Sequence, residues 1–340
     1  MTLRPTLRLA AGFGLVAAAM STQAGAQTPL KLSLDTRFDG PAALFLVPKE
    51  QGYFREEGIE LAIEEGTAAL DPITRIAQGS ADIGFADINA LIRYHDQNPS
   101  APVKAVFMVY SKPPFAIVGR KSRGIGDPKS LEDKHLGAPP TGASYEQWPI
   151  FAKLNHIDTG KVMVEKIGVP VRAPMLAAGE IDAALGYSYR LYVDLKERGV
   201  PPDDVVMLEM ANYGLTLYGS AIMVSAKLAA ERPAIVEAFL RAFTKGLKDT
   251  IRNPLIAVEA LLKHDNMANG EVELERLRMA LKDNIVTGEV RADGLGTIDG
   301  ERLTQAIAQI ALTHSFKGKP KGDDVFDPAF LPPLAERKLN

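Results

Sequence analysis

The chain has 340 residues, 46% of them hydrophobic, and 39 Lys and Arg against 42 Asp and Glu give a formal net charge of −3. That length can fill two lobes with cores of their own, and a weakly acidic balance without a long basic run argues against nucleic acid or an anionic membrane as partner. No cysteine is present, which excludes disulfides, thiolate metal sites, a thiol nucleophile and a lipid-modified cysteine anchor.

The first predicted element is an export signal. Arg4 and Arg8 give a positive start without an acidic residue, Leu9 to Met20 is apolar and Ala-rich, and Ala24-Gly25-Ala26 fits a small-x-small cleavage site. The apolar run spans roughly 18 Å as a helix, too short for a hydrocarbon core of about 30 Å. Cleavage is expected after Ala26, leaving Gln27 first. Arg4 and Arg8 are not adjacent, so the twin-arginine route is not indicated, and no later apolar stretch is long enough to span a membrane. The expected location is the periplasm, as a diffusible protein.

Strands are predicted at Leu30 to Leu34, Ile59 to Glu64, Ile83 to Ala86 and Val103 to Val109, separated by helices at Ala42 to Gln51, from Asp71 to Gly79 and from Ile88 to His95. Strand–helix alternation with short links implies an α/β lobe with a largely parallel sheet. The pattern then restarts. Strands are predicted at Phe115 to Gly119, Leu136 to Ala138, Val162 to Ile167 and Ala183 to Gly186, with helices at Tyr145 to Leu154 and Ala173 to Ala178. A strand at Gly219 to Ser225 precedes helices at 233–252, 255–264, 273–284 and 300–312, and a Pro-rich tail from Pro328 to Leu334 reads as an extended strap. Gln78 to Gly84 echoes Ala178 to Ala184 as helix end, Gly, two residues, Asp, small strand, which favours two similar lobes.

Several of these segments resemble a known family. Gln51-Gly52-Tyr53-Phe54-Arg55-Glu56-Glu57-Gly58-Ile59 is similar to its first signature, Gly79 to Gly84 and Ala178 to Ala183 to its lobe signatures, and Ser130 to Gly137 to a further segment in which Asp133 and His135 depart from the pattern. The family comprises solute-binding proteins of ABC importers for nitrate, sulfonate, taurine and thiamine-pyrimidine precursors. The resemblance covers roughly residues 30 to 250. It implies a two-lobed α/β fold of the type II periplasmic binding protein kind, with two crossovers, a hinge and a ligand between the lobes. By analogy, lobe one is 28–110 plus 219–340, lobe two is 111–210, and 211–218 is the second crossover. The implied partners are a small organic solute and an inner-membrane ABC permease. A monomer without metal, cofactor or catalytic residues is expected.

In open α/β sheets ligands bind at the carboxyl ends of strands. That rule selects five segments: Asp35 to Phe38, Gly66 to Ala68, Asp87 to Asn89, Pro140 to Tyr145 and Gly186 to Arg190. Arg37 suits a carboxylate or sulfonate, or is a solvated loop residue; Phe38 suits a ring. Thr67 belongs to the second segment. Asp87 is either a ligand contact or a helix cap. Thr141, Ser144 and Tyr145 begin a helix that suits an anion or carries an ordinary cap. Tyr187, Ser188, Tyr189 and Arg190 form a dense recognition set, some of which must face the core. Tyr213, like Tyr218, lines the cleft or stiffens the hinge. Trp148 and Phe151 have the spacing of core residues. The five histidines show no ligand spacing, and no Gly-x-Ser-x-Gly elbow occurs. Two other functions stay open: a sensor that presents its ligand to a receptor, and an enzyme like the fungal relative that makes the thiamine pyrimidine through an iron-linked Cys-rich segment. The missing cysteines and the export signal argue against the second.

Overall fold

The computed structural model describes residues 1, 27–66 and 68–339; the export signal expected at 2–26 and the candidate Thr67 fall outside that set. Ten strands follow in chain order: β1 (Thr28–Leu34), β2 (Ile59–Glu64), β3 (Ile83–Asp87), β4 (Val103–Met108), β5 (Phe115–Arg120), β6 (His135–Ala138), β7 (Met163–Lys166), β8 (Ala183–Tyr187), β9 (Val205–Glu209) and β10 (Ser220–Ser225). They form two five-stranded sheets, ordered β2-β1-β3-β10-β4 and β7-β6-β8-β5-β9. The central strands β3 and β8 are short, apolar runs buried on both faces, as strands covered by helices on both sides must be.

The chain crosses twice. After β4 it passes to the second sheet and enters it as β5, antiparallel to β8 and β9. After β9 it returns and enters the first sheet as β10, antiparallel to β3 and β4. The remaining pairings, β1 with β2 and β3, and β6 with β7 and β8, are parallel. Each sheet is therefore completed by one strand that arrives from the other. This strand order with two crossings is that of a type II periplasmic binding protein fold.

The crossings run side by side at 109–114 and 210–219. The Tyr110 N–H donates to Ser220 O and the Gly219 N–H to Tyr110 O. A Cβ on Gly219 would lie 2.7 Å from the Tyr110 Cβ, so the close approach requires glycine there. Arg302 clasps both crossings. Its guanidinium donates to Ser111 O at 2.8 Å, Thr216 O at 3.0 Å and Leu217 O at 2.8 Å, pairs with Glu289 at 2.6 Å, and stacks 3.9 Å from the Tyr218 ring centroid. Tyr218 is fully buried and belongs to this hinge support.

A stacked aromatic core (Phe45, Phe54, Phe85, Phe107, Phe239, Phe243) fills the outer side of the first sheet. A second apolar cluster is continuous across the lobes, from Ile88, Leu91 and Ile92 to Trp148, Ile150 and Phe151.

Four elements differ from the sequence reading. Strand β9 was not expected: it is a short edge strand, and edge strands show weak alternation. The helix Val169–Ala178 begins four residues before the expected Ala173, because Pro170 occupies its first turn and Pro174 interrupts its interior pattern. A further helix, Ser188–Glu197, starts directly after β8. The C-terminal strap is not extended throughout: Pro328–Phe330 and Leu334–Arg337 are short helical turns, with Phe330 and Leu331 half-buried against the aromatic core.

Candidate functional site

The carboxyl ends of β1, β2, β6, β7 and β8 converge on a cleft of about 500 Å³ between the lobes. The loop after β1 supplies Asp35, Thr36, Arg37, Phe38 and Asp39, and the loop after β2 supplies Gly66, Ala68 and Ala69. From the second lobe come Pro139, Thr141 to Ser144, Val169, Pro170, Arg172, Gly186, Tyr187, Arg190 and Asp194. The helix Gly270–Ala280 adds Glu273 and Arg276.

Six of the candidates therefore meet in one cleft: Arg37, Phe38, Thr141, Ser144, Tyr187 and Arg190. Their free chemistry is smaller than their number. The Ser144 hydroxyl donates to Gly186 O at 2.8 Å and is buried. Arg190 reaches across the cleft to Thr36 Oγ1 at 3.2 Å and pairs with the Asp39 carboxylate. Burial works against the Arg190 charge, but the Asp39 carboxylate more than offsets it, so the guanidinium is held protonated. Arg37 is exposed at the rim. Phe38 sits edge-on to His264 with ring centroids 4.3 Å apart, and Tyr187 lies 5.8 Å from Tyr189.

Five other candidates do not line the cleft. Asp87 is fully buried below it and caps the helix Ile88–Gln97 by accepting from the Asn89 N–H at 3.1 Å. Ser188 is buried, with its N–H on Pro114 O at 2.8 Å. Tyr189 is a core residue, 2% exposed. Tyr145 packs half-buried against the shared apolar cluster. Tyr213 packs edge-on against Phe151, 6.2 Å away, and its carbonyl takes the Asn155 side-chain N–H. Side chains at alternate positions of a helix start cannot all face one cavity, so Ser188 and Tyr189 turn inward while Tyr187 and Arg190 face out.

The cleft also holds Asp35, which lies in the first of the selected segments, and charged groups outside all five. Asp35 directly follows β1 and lines the cleft. Burial pushes its carboxyl up to about 7, the opposing pull of Arg190 notwithstanding, with Asp87 and Asp39 adding repulsion. Asp87 is likewise raised to about 7 by burial, against the hydrogen bonds from Asn89. Arg172 projects from the first turn of its helix. It precedes Leu176 by four residues on the buried face of that helix, a spacing that shows only once the helix is known to begin at Val169. Asp194 and Arg276 pair across the lobes, Arg276 also pairs with Glu273, and Glu273 accepts from the Gly40 N–H at 2.6 Å. Farther out, Lys196 and Glu275 pair at 2.6 Å. Apart from the Arg276–Glu273 pair on one helix, these links join residues about eighty or more apart in the chain and had no local sequence signal.

Among the described residues, no group of three or more His, Asp or Glu is arranged to hold a metal, and no helix is long and apolar enough to cross a membrane.

Known proteins resemble this chain at two levels. In sequence, the riboflavin-binding protein RibY of Chloroflexus aurantiacus is 26% identical over 267 residues, covering 77% of this chain and 74% of that protein. The 4-amino-5-hydroxymethyl-2-methylpyrimidine phosphate synthase of Schizosaccharomyces pombe is 25% identical over 235 residues, 66% of each. In structure, the periplasmic aliphatic sulphonate-binding protein SsuA of Escherichia coli superposes with a TM-score of 0.67 over 84% of this chain and 91% of that one, at 14% identity, a likeness of fold. A family model described as NMT1/THI5 like matches residues 42–257, more than half of the chain, and the chain belongs to that family.

Proposed function

We propose that this protein is the solute-binding subunit of an ABC importer, holding one small organic molecule between its lobes. The observation that carries the reading is the interlobe cleft of about 500 Å³, whose lining includes the aromatic side chains Phe38 and Tyr187 and arginines from both lobes. That volume lies in the range of small-molecule sites, and a cleft between two hinged lobes lets occupancy set the distance between them. An inner-membrane permease then reads that distance. The sulphonate-binding likeness supports the fold of such a subunit, and the riboflavin-binding relative supports a ring-bearing solute. Delivery to the periplasm, with cleavage after Ala26, and a monomeric working state belong to the same proposal.

The synthase relative defines the alternative, in which the cleft converts its ligand. Native mass spectrometry after incubation with riboflavin, aminopyrimidines and aromatic sulfonates separates the two. The expected result is one unmodified ligand per chain, retained over hours. Release of a product of altered mass would replace capture with catalysis. A sensor role is separated from transport by uptake of the identified ligand in a deletion strain: lost uptake supports the importer, and unchanged uptake supports the sensor.

A further inference from the structure

The arginines of the cleft are not equivalent. Arg190 is matched by Asp39, and Arg276 by Asp194 and Glu273. Arg172 has no such partner among the described residues. It is 3% exposed and lines the cleft. Its Nη1 donates to Leu185 O, its Nε is buried without an acceptor, and its Nη2 has no hydrogen bond among the described residues. The carboxylate closest in influence, Asp194, is already held by Arg276. Burial and the neighbouring Arg190 pull the Arg172 guanidinium down to about 10, which still leaves it charged at neutral pH.

A buried charge without a counter-charge costs far more than a paired one. The fold nonetheless makes room for it. A Cβ on Gly186 would lie 2.7 Å from Arg172 Nη1 and 3.0 Å from its Cζ, so the guanidinium lies directly over a glycine at the end of β8. With Nη1 held by Leu185 O and Nε buried, Nη2 is the donor left for an oxygen of a carboxylate or sulfonate. Phe38 and Tyr187 line the same cleft, so a ring and a charged end can be held together.

We infer that the solute carries a carboxylate or sulfonate group and that Arg172, not Arg190, is its counter-ion, its ring being held by the aromatic lining of Phe38 and Tyr187. This inference rests on the solute-binding reading and names the chemical class it takes.

The test has two arms. In the first, thermal unfolding of the unaltered protein is followed in sodium formate, sodium sulfate and sodium chloride at matched ionic strength. Formate and sulfate are both expected to raise the midpoint above chloride; sulfate also stabilises proteins generally by exclusion from their surface, so formate is the deciding salt. In the second, calorimetry compares nicotinate with nicotinamide and benzenesulfonate with benzenesulfonamide, on the unaltered protein and on Arg172→Gln. Each acid is expected to bind about tenfold tighter than its amide, an advantage that Arg172→Gln removes. Amides that bind as well as the acids, an acid preference that survives Arg172→Gln, or formate that acts like chloride would each overturn the inference. The first arm needs no variant, so misfolding of Arg172→Gln leaves the inference open to refutation. A neutral compound retained unconverted would sink the anion and keep the solute-binding reading. An acid bound through Arg172 but chemically converted would do the reverse.

Discussion

Asp82 and Asp182 do the same work in the two lobes. Asp82 takes the Lys31 N–H of β1 on its carboxylate at 2.9 Å while its own N–H donates to Lys31 O at 3.0 Å. Asp182 does so with His135 of β6, at 3.0 and 2.8 Å. Each follows a left-handed glycine, Gly79 with φ 74° or Gly179 with φ 78°, that turns the chain out of a helix. The repeated spacing in the sequence is thus one bonding arrangement used twice. Asp82→Ala and Asp182→Ala are each expected to cost about 1–2 kcal/mol, read as a shift in denaturant midpoint. Gly186→Ala is expected to do more damage to binding than to folding, because the new Cβ presses on the Arg172 guanidinium and on Leu191 Cδ1 at 2.8 Å. Calorimetry on that variant checks it. Asp35 gives a pH dependence. Its folded carboxyl lies near 7, above the ordinary value of 3.8, so its contribution to stability is complete below about pH 4 and is lost as pH rises through 7. Asp35→Asn should therefore melt a few degrees higher than the unaltered protein at pH 8 and no higher at pH 4, with Asp87 leaving a residual slope of the same sign. Equal midpoints at pH 8 would remove Asp35 from the pH response.

The strand ends were legible as elements, and that is why the cleft was found. β1 and β2 alternate apolar and polar residues and β6 and β8 are short apolar runs, all with clear stops, so the rule that ligands sit at carboxyl ends of strands could be applied to the sequence. What each end contributes was not legible, because the direction of a side chain in the first turn of a helix depends on where the helix begins. Ser188–Glu197 begins one residue after β8, and that start alone decides that Tyr189 is core and Arg190 is cleft. Arg172 was hidden by Pro170 and Pro174, which read as breaks and not as a helix start. The segment around Arg302 was equally silent, since its partners Ser111, Thr216 and Leu217 lie in two distant crossings. Arg302→Ala strips three carbonyls of a charged donor and is expected to cost on the order of 3 kcal/mol. Arg302→Lys should recover only part of it, because an ammonium cannot fork to all three. Urea unfolding of both variants measures the difference, and an unaffected Arg302→Ala would show that the crossings hold each other without it.

At the scale of the molecule, the two lobes are tied by two different means. One is the shared apolar cluster, with Arg93 donating to Gln147 at 2.8 Å. The other is ionic, through Arg190 with Asp39, Arg276 with Asp194 and Lys196 with Glu275. The Lys196 pair is well exposed and is worth little, whereas the Arg190 pair is shielded by the cleft. Asp39→Ala is therefore expected to enlarge the radius of gyration of the ligand-free protein in small-angle scattering, and Lys196→Ala to leave it unchanged.

The late return of β10 to the first sheet has a consequence for the order of assembly. All five strands of the second sheet lie within 115–209, so that lobe is complete as soon as this stretch has been synthesised. The first sheet cannot close until residues 220–225 arrive, because β10 is the only strand that joins β3 to β4. Until then β3 presents an open edge, and the lobe that began first finishes last.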